Sequence, residues 1–183
     1  MTTPDSISQN DTYTSPLAAR NASPEMLRLW SPRHKFNTWR RIWLAVAEAQ
    51  HEVTKDWGSA SKSGNEGARS VSDGASGDAS PKPDPSSDRP GAHAPGSSRP
   101  RSGPLVTREQ VEALRAVVER GITDAELARA TEIEGELRHD VMAHVHCLGE
   151  SCPEAKAIIH LGCTSQDVVC NADAVVLSEA LDQ

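Results

Sequence analysis

The chain has 183 residues, a formal net charge of −7 and four cysteines. The charge is spread along the sequence without a basic stripe, which argues against nucleic-acid binding. The longest apolar run falls far below the ~18 residues of a membrane-spanning helix, and the N-terminus lacks the charged-then-apolar layout of a secretory signal. We therefore expect a cytoplasmic protein with reduced thiols and with neither a membrane nor a nucleic acid as partner.

Two stretches are predicted to lie outside the folded part of the chain. Residues 58–104 contain almost no large apolar side chains and are dominated by Ser, Gly, Pro, Ala and Asp. Such a segment cannot bury enough surface to offset the entropy lost on ordering, so we predict a disordered insert there. Residues 1–12 are predicted to form a flexible end. The ranges 13–57 and 105–183 remain to build the fold.

The first of these ranges predicts helices. Ser23 before Pro24, and Ser31 before Pro32, are typical of a helix start, because serine caps the first N–H groups and proline fits the first turn. Apolar residues then recur at three- and four-residue steps, which predicts one buried helix face over 32–56. The residues of this face are Phe36, Trp39, Ile42, Trp43, Val46, Ala49 and Val53.

The second range predicts three more helical stretches. Thr107 and Thr123 each precede a Gln or Glu by three residues, the pattern of a capping box. The first of these helices is expected to end at Gly121, and the second to run on through residues 122–150. After a Ser-Cys-Pro break, a further helix begins at Thr164 and is predicted to continue to the end of the sequence. Strand-like alternation is missing, so the predicted fold class is all-α.

The stretch "LRHDVMAHVH", residues 137–146, contains three histidines and raises the question of a metal site. In one helix, His144 and His146 would point about 160° apart, and His139 and His146 would lie roughly 10 Å apart along the axis. Neither pair can hold one ion, and the cysteine spacings match no zinc pattern. We therefore predict no metal.

The same helical geometry predicts two faces for this stretch. One face would pack in the core, with Leu137, Val141, His144 and Leu148. The other would turn away from it, with His139, Met142, Ala143 and His146. From the residues alone, this outer face is either solvated or a site that exchanges protons and holds anions, since histidine titrates near neutrality and arginine binds carboxylates and phosphates.

Four segments together resemble the N-terminal part of the adenylosuccinate lyase family, which belongs to the fumarase/aspartase superfamily. They are "SPLAARNASPEM", "SPRHKFNTWRRIWLAVAEAQ", "LRHDVMAHVH" and "IIHLGCTSQDV". The resemblance implies an N-terminal helical domain over 13–57 and 105–160. It also implies that residues 161–183 begin a central domain of long helices, which is truncated in this sequence.

The resemblance also implies a function. Family members release fumarate by β-elimination from adenylosuccinate, which yields AMP, and from a succinyl-carboxamide ribotide of purine biosynthesis. A base removes a proton next to a carboxylate and an acid protonates the leaving nitrogen, so neither a metal nor an organic cofactor is implied. The family works as a homotetramer, and each active site combines residues of three subunits.

Two site residues are implied near the N-terminus. Arg20 matches the family arginine that contacts the substrate phosphate. The next family position is usually tyrosine, and here it is Asn21, which retains a hydrogen-bonding group but lacks the ring.

Five more site residues are implied further along. Arg138, His139 and Asp140 match the family's substrate-contacting triplet, with His139 assisting the acid side of the reaction. Thr164 and Ser165 match the pair that binds the succinyl carboxylate. Physical reasoning favours that role, because N–H groups at a helix start attract an anion.

The sequence also departs from the family. The Thr-His-x-Gln segment with the general acid and the Met-Pro-x-Lys-x-Asn segment near the catalytic serine do not occur in it. We therefore expect the chain alone to be inactive and the full-length protein to be a carbon–nitrogen lyase. Two alternatives stay open. One is another lyase of the superfamily, disfavoured by the Arg-His-Asp triplet and Arg20; the other is a non-catalytic helical module for assembly or regulation.

Overall fold

The computed structural model describes residues 8–56 and 104–183, so the insert predicted over 58–104 lies almost entirely outside the described residues. The described ranges fold into helices and contain no strand, which confirms the all-α prediction. The α-helices are α1 (Ala18–Asn21), α2 (Pro24–Leu29), α3 (Pro32–Thr54), α4 (Arg108–Arg120), α5 (Asp124–Leu137), α6 (Asp140–Ser151) and α7 (Ser165–Leu181). Single 3-10 turns occur at Gln9–Asp11 and Pro153–Ala155.

The predicted helix starts are confirmed. The side chains of Ser23 and Ser31 accept hydrogen bonds from the third backbone N–H of α2 and α3. Thr107, Thr123 and Thr164 begin α4, α5 and α7 with complete capping boxes. These contacts satisfy N–H groups that a helix cannot satisfy internally.

Helix α3 lies at the centre of the core and packs against α4 and α7. Its Trp39, Trp43 and Ala47 are fully buried, as predicted for the two tryptophans. The predicted stripe is wrong at its end, because Val53 is 69% exposed and Thr54 is buried instead. Val46 and its neighbours face a groove of about 650 Å³ beside α7, which leaves this part of the stripe only half covered.

The helix predicted over 122–150 is in fact two helices. Arg138 adopts a left-handed backbone conformation (φ 55°, ψ 34°) and ends α5, and His139 caps α6. The two helices fold back on each other as a hairpin. Because the chain turns here, Leu137 does not continue the apolar face of α6 and is 45% exposed, contrary to the prediction.

Helix α6 is buried on two sides, where one was predicted. Val141, His144 and Leu148 are buried as expected. Ala143, expected on the outer face, is also fully buried, and with Cys147 it packs against α5 in a second, smaller cluster. The periodicity of α6 alone could not reveal this, because the second side is covered by a helix that only the turn at Arg138 brings back.

A half-buried carboxylate joins four helices at the open end of this hairpin. Glu126 of α5 accepts hydrogen bonds from Arg40 Nη1 of α3 (3.3 Å), from Nη2 of Arg120, the last residue of α4 (3.0 Å), and from Ser151 Oγ of α6 (2.5 Å). Burial alone would raise the pKa of Glu126, but the hydrogen bonds from Ser151, Thr123 N–H and Arg120, together with the charge of Arg40, lower it to about 2. Glu126 therefore stays ionised in the folded protein.

The two ends of the described structure differ from the sequence prediction. Within the stretch predicted to be flexible, residues 9–11 form a 3-10 turn, and Asp11 is ion-paired with Arg33, which also binds Asp124. The last helix stops at Leu181, two residues earlier than predicted, with Asp182 as its C-cap. None of the helices in 8–56 and 104–183 is both long enough and apolar enough to cross a bilayer.

Candidate functional site

The tip of the α5–α6 hairpin meets the start of α7. The side chains of His139 and Ser165 are in contact there, with 3.3 Å between Nε2 of the ring and Oγ of the serine. The two residues are 26 positions apart in the sequence and begin different helices. The fold therefore brings together the Arg-His-Asp triplet and the Thr-Ser pair, two of the three groups of implied site residues.

His139 is held by the first turn of α6. Its Nδ1 accepts the backbone N–H of Met142 at 3.3 Å, the contact of an N-cap. Asp140 Oδ1 lies 3.7 Å from the same nitrogen, which is too long for a hydrogen bond, and it accepts the N–H of Val141 at 2.7 Å. The capping bond is therefore the contact that sets the orientation of the ring.

Arg138 presents a free guanidinium beside this histidine. Its side chain is exposed, and no carboxylate among the described residues pairs with it. A left-handed conformation is unusual for a residue with a side chain, and such strain is concentrated at functional sites. An unpaired, exposed arginine next to a histidine is suited to binding an anion.

The start of α7 offers fewer donors than the sequence suggested. The N–H of Thr164 is bound by Asp167 Oδ2 (2.7 Å), and the N–H of Gln166 is bound by Thr164 Oγ1 (3.2 Å). The capping box thus satisfies N–H groups that we expected to be available to a ligand, and it places a carboxylate near them. The backbone N–H of Ser165 has no acceptor within the described residues, so an anion at this position would meet this N–H and the Ser165 hydroxyl.

The N-terminal pair, Arg20 and Asn21, is not in contact with this group in the described structure. Both lie exposed on the short helix α1. The amide of Asn21 donates to Leu17 O at 3.0 Å, within its own turn. The tertiary structure of this chain therefore brings the segments of five of the seven implied residues together, and no hydrogen bond or ion pair within the described ranges joins Arg20 or Asn21 to them.

His160 is a member of this region that sequence reasoning missed. It too has a positive φ, 67°, and its Nδ1 accepts the indole N–H of Trp43 at 3.1 Å. Burial lowers its pKa, the charge of Asp167 acts in the opposite direction, and His139 lowers it further. The sequence signal that could have indicated His160 was its position two residues before Gly162 in a tight turn. Apart from Arg138, no other non-glycine residue in the described ranges has a positive φ.

Comparison with known proteins agrees with the motifs. No protein-family model matches the chain. The chain is 37% identical over 172 residues to the adenylosuccinate lyase of Saccharomyces cerevisiae, and this stretch covers 94% of the chain and 25% of the relative. It is 33% identical to the enzyme of the same name from Schizosaccharomyces pombe, with 93% and 25% covered. Over this stretch, the chain is similar to adenylosuccinate lyases.

The similarity to adenylosuccinate lyases covers nearly all of the chain but only part of each relative. The chain spans about a quarter of the length of the two yeast relatives. A stretch that covers 94% of the chain includes most of both described ranges, and with them the hairpin tip and the start of α7. Over a shorter stretch of 71 residues, the chain is 42% identical to the adenylosuccinate lyase of Pyrococcus abyssi.

The three histidines of residues 137–146 have three different environments. His139 lies at the site, His146 is exposed, and His144 is buried with its ring stacked 3.8 Å from that of Phe36. Burial, reinforced by the charges of Arg40 and Lys35, lowers the pKa of His144 to about 4. His144 is therefore a neutral core residue, and of the three only His139 touches another implied site residue.

Proposed function

We propose that the whole protein containing this sequence is an adenylosuccinate lyase. In this proposal it releases fumarate from adenylosuccinate and from the succinyl-carboxamide ribotide by β-elimination, as a cytoplasmic homotetramer. The observation that supports it best is the approach of His139 to Ser165, because the family assigns both residues to one substrate. The match to two yeast enzymes of that name supports the family but covers only a quarter of their length.

The described residues would form one wall of the substrate pocket. Arg138 would hold a carboxylate of the succinyl group through paired N–H donors, and Ser165 would add a hydroxyl donor. Thr164 would support Ser165 by capping α7, and Asp140 would support His139 by starting α6. His139, with a proton on Nε2, would stabilise negative charge that develops during elimination and assist protonation of the leaving nitrogen.

Other parts of the pocket would come from elsewhere. Arg20 and Asn21 would contact the substrate phosphate, as the family resemblance implies. The principal acid and base are expected from family segments that this sequence does not contain. The reaction as proposed uses proton transfer and electrostatic stabilisation only, and therefore needs no metal or organic cofactor.

The test is fumarate release by the whole protein that contains this sequence. We expect turnover of adenylosuccinate and none of argininosuccinate, malate or aspartate. The chain of 183 residues alone is expected to release no fumarate. Turnover of argininosuccinate instead would indicate another lyase of the superfamily. Binding to an active lyase without any turnover of its own would indicate the non-catalytic module.

A further inference from the structure

The two ring nitrogens of His139 have partners of different kinds. Nδ1 lies 3.3 Å from the backbone nitrogen of Met142, and a backbone N–H can only donate a hydrogen bond. Nδ1 must therefore be the acceptor and carry no proton. In the neutral ring the single proton is then on Nε2, because the bond made by one nitrogen determines the state of the other.

The neighbouring carboxylate does not oppose this arrangement. Asp140 would favour a proton on Nδ1 if it accepted a hydrogen bond there, but its Oδ1 is 3.7 Å away. That oxygen instead accepts the N–H of Val141 at 2.7 Å. Both the carboxylate and the imidazole are thus used as acceptors by the first turn of α6.

The proton on Nε2 decides what Ser165 can do. Its Oγ lies 3.3 Å from Nε2 and accepts from it. A hydroxyl has one proton of its own, and this proton is then directed to another acceptor. The hydrogen bonds therefore run in one direction, from the Met142 amide to His139, from His139 to Ser165, and from Ser165 outward.

We propose that the Met142 amide, acting through His139, makes Ser165 a hydrogen-bond donor towards the ligand, so that His139 positions this hydroxyl in addition to its part in the proposed reaction. A site of this polarity accepts a carboxylate or a similar oxygen acceptor and disfavours an ammonium or N–H group. The assignment of that ligand as a succinyl carboxylate rests on the proposed function. The tautomer of His139 does not, because it is a property of the chain without any ligand.

The tautomer can be measured directly in the 183-residue chain labelled with ¹⁵N-histidine. Long-range nitrogen–proton correlation spectra distinguish the two neutral tautomers, and the His139 signals are assigned by their loss in His139→Asn. His146 is exposed and serves as the reference in the same sample. One net hydrogen bond should enrich the Nε2–H form of His139 roughly fivefold relative to His146. A ratio equal to that of His146, or a proton on Nδ1, overturns the inference.

Two variants identify the group responsible. Ser165→Ala should keep the enrichment, because the amide contact is at the other nitrogen, whereas Met142→Pro removes the amide N–H and should bring His139 to the ratio of His146. If the proline variant does not fold by circular dichroism, the native chain and Ser165→Ala still decide. Loss of the enrichment in Ser165→Ala means that the hydroxyl sets the tautomer, and the inference fails.

The proposed function and the tautomer of His139 are tested by different measurements, so one can fail without the other. A whole protein that releases fumarate while His139 carries its proton on Nδ1 would remain a lyase and would contradict the positioning of Ser165. A chain with the expected tautomer whose whole protein turns over no adenylosuccinate would retain the hydrogen-bond direction and lose the lyase assignment.

Discussion

The α5–α6 hairpin has two ends that use charged residues in opposite ways. At the open end, the carboxylate of Glu126 is surrounded by donors from three other segments, among them Arg40 and Ser151. At the closed end, Arg138 and His139 lie exposed around a left-handed turn, and Arg138 has no ion-pair partner among the described residues.

This difference separates residues that build the fold from residues that are available to a ligand. A fully hydrogen-bonded buried carboxylate holds helices together and has no donor or acceptor left for another molecule. An unpaired, exposed arginine contributes little to stability, and its left-handed backbone conformation is of the kind that is concentrated at functional sites. Substitutions at the two ends should therefore have different effects, on stability at the open end and on activity at the closed end.

The largest effect is expected at the closed end and on activity. In the whole protein, His139→Asn should lower kcat/KM for adenylosuccinate at least about 100-fold, because the imidazole is lost from the reaction. Asparagine is itself a good N-cap, so the free energy of unfolding should stay nearly unchanged. His139→Ala is the control and should lose both the activity and ~1 kcal/mol of stability. Full activity in His139→Asn would limit the histidine to capping.

At the open end, the expected effect is on stability. Glu126→Ala leaves Arg40 buried without its partner and should destabilise the chain by about 3–5 kcal/mol, measured by urea unfolding with tryptophan fluorescence. The low pKa of Glu126 means that its stabilisation is complete above pH 4.5 and is lost as the pH falls towards 2. This acid dependence should weaken in Glu126→Gln. If Glu126→Ala leaves the unfolding midpoint unchanged, Glu126 does not stabilise the fold.

Between the two ends, His144 is expected to limit stability in mild acid. The folded chain holds its pKa near 4, while the unfolded chain titrates at the ordinary 6.5, so the unfolded state binds more protons between these values. Stability is therefore full above pH 6.5 and should fall by up to about 3 kcal/mol as the pH drops to 4. His144→Phe should flatten this part of the pH profile, and an unchanged slope would contradict the assignment.

The turn before the open end provides the next test. Gly121 has φ 80° and ψ 167°, a region open essentially to glycine alone, so Gly121→Ala should cost about 1–3 kcal/mol. Crowding is not the reason, because an added Cβ would lie 3.6 Å from Asn37 Oδ1, an ordinary contact. Gly135→Ala is the matched control. It adds a methyl to the exposed side of α5, where nothing lies within 4 Å, and should stabilise by about 0.5–1 kcal/mol.

The smallest effect on stability is expected at the turn of the closed end. Arg138→Gly relieves the left-handed strain and increases the entropy of the unfolded chain, two changes that nearly cancel, so the free energy of unfolding should change by less than about 1 kcal/mol. Arg138→Ala keeps the strain and should be the less stable of the two. A large loss of stability in Arg138→Gly would show that the arginine serves the fold after all.

Local sequence signals predicted the starts of the helices well. Serine and threonine caps at Ser31, Thr107 and Thr164 were correct, because a cap depends on residues within one turn. The turn at Arg138 was missed because no residue at the turn itself signals a helix end. Neither glycine nor proline marks it, and the left-handed residue lies between two helices that pack against each other.

The site was predictable only in part. The resemblance named Arg138, His139 and Ser165, and the fold brings the two segments that carry them to one place. It could not reveal that His139 is a helix cap, nor that His160 lies nearby with its ring bound to Trp43. Ring orientation and tautomer depend on atoms from other turns and helices, which no spacing rule contains.

The sequence by itself determined the helical class, the capped helix starts and the resemblance to adenylosuccinate lyases, because these depend on short-range patterns and on local motifs. Only the tertiary structure decided which charged side chains are paired within the described residues and which are unpaired there. Glu126 is a capping residue in the sequence and becomes the centre of a four-helix contact when Arg40 and Ser151 reach it. The physical reason is that an ion pair depends on the distance between two side chains, and only the folded chain sets that distance.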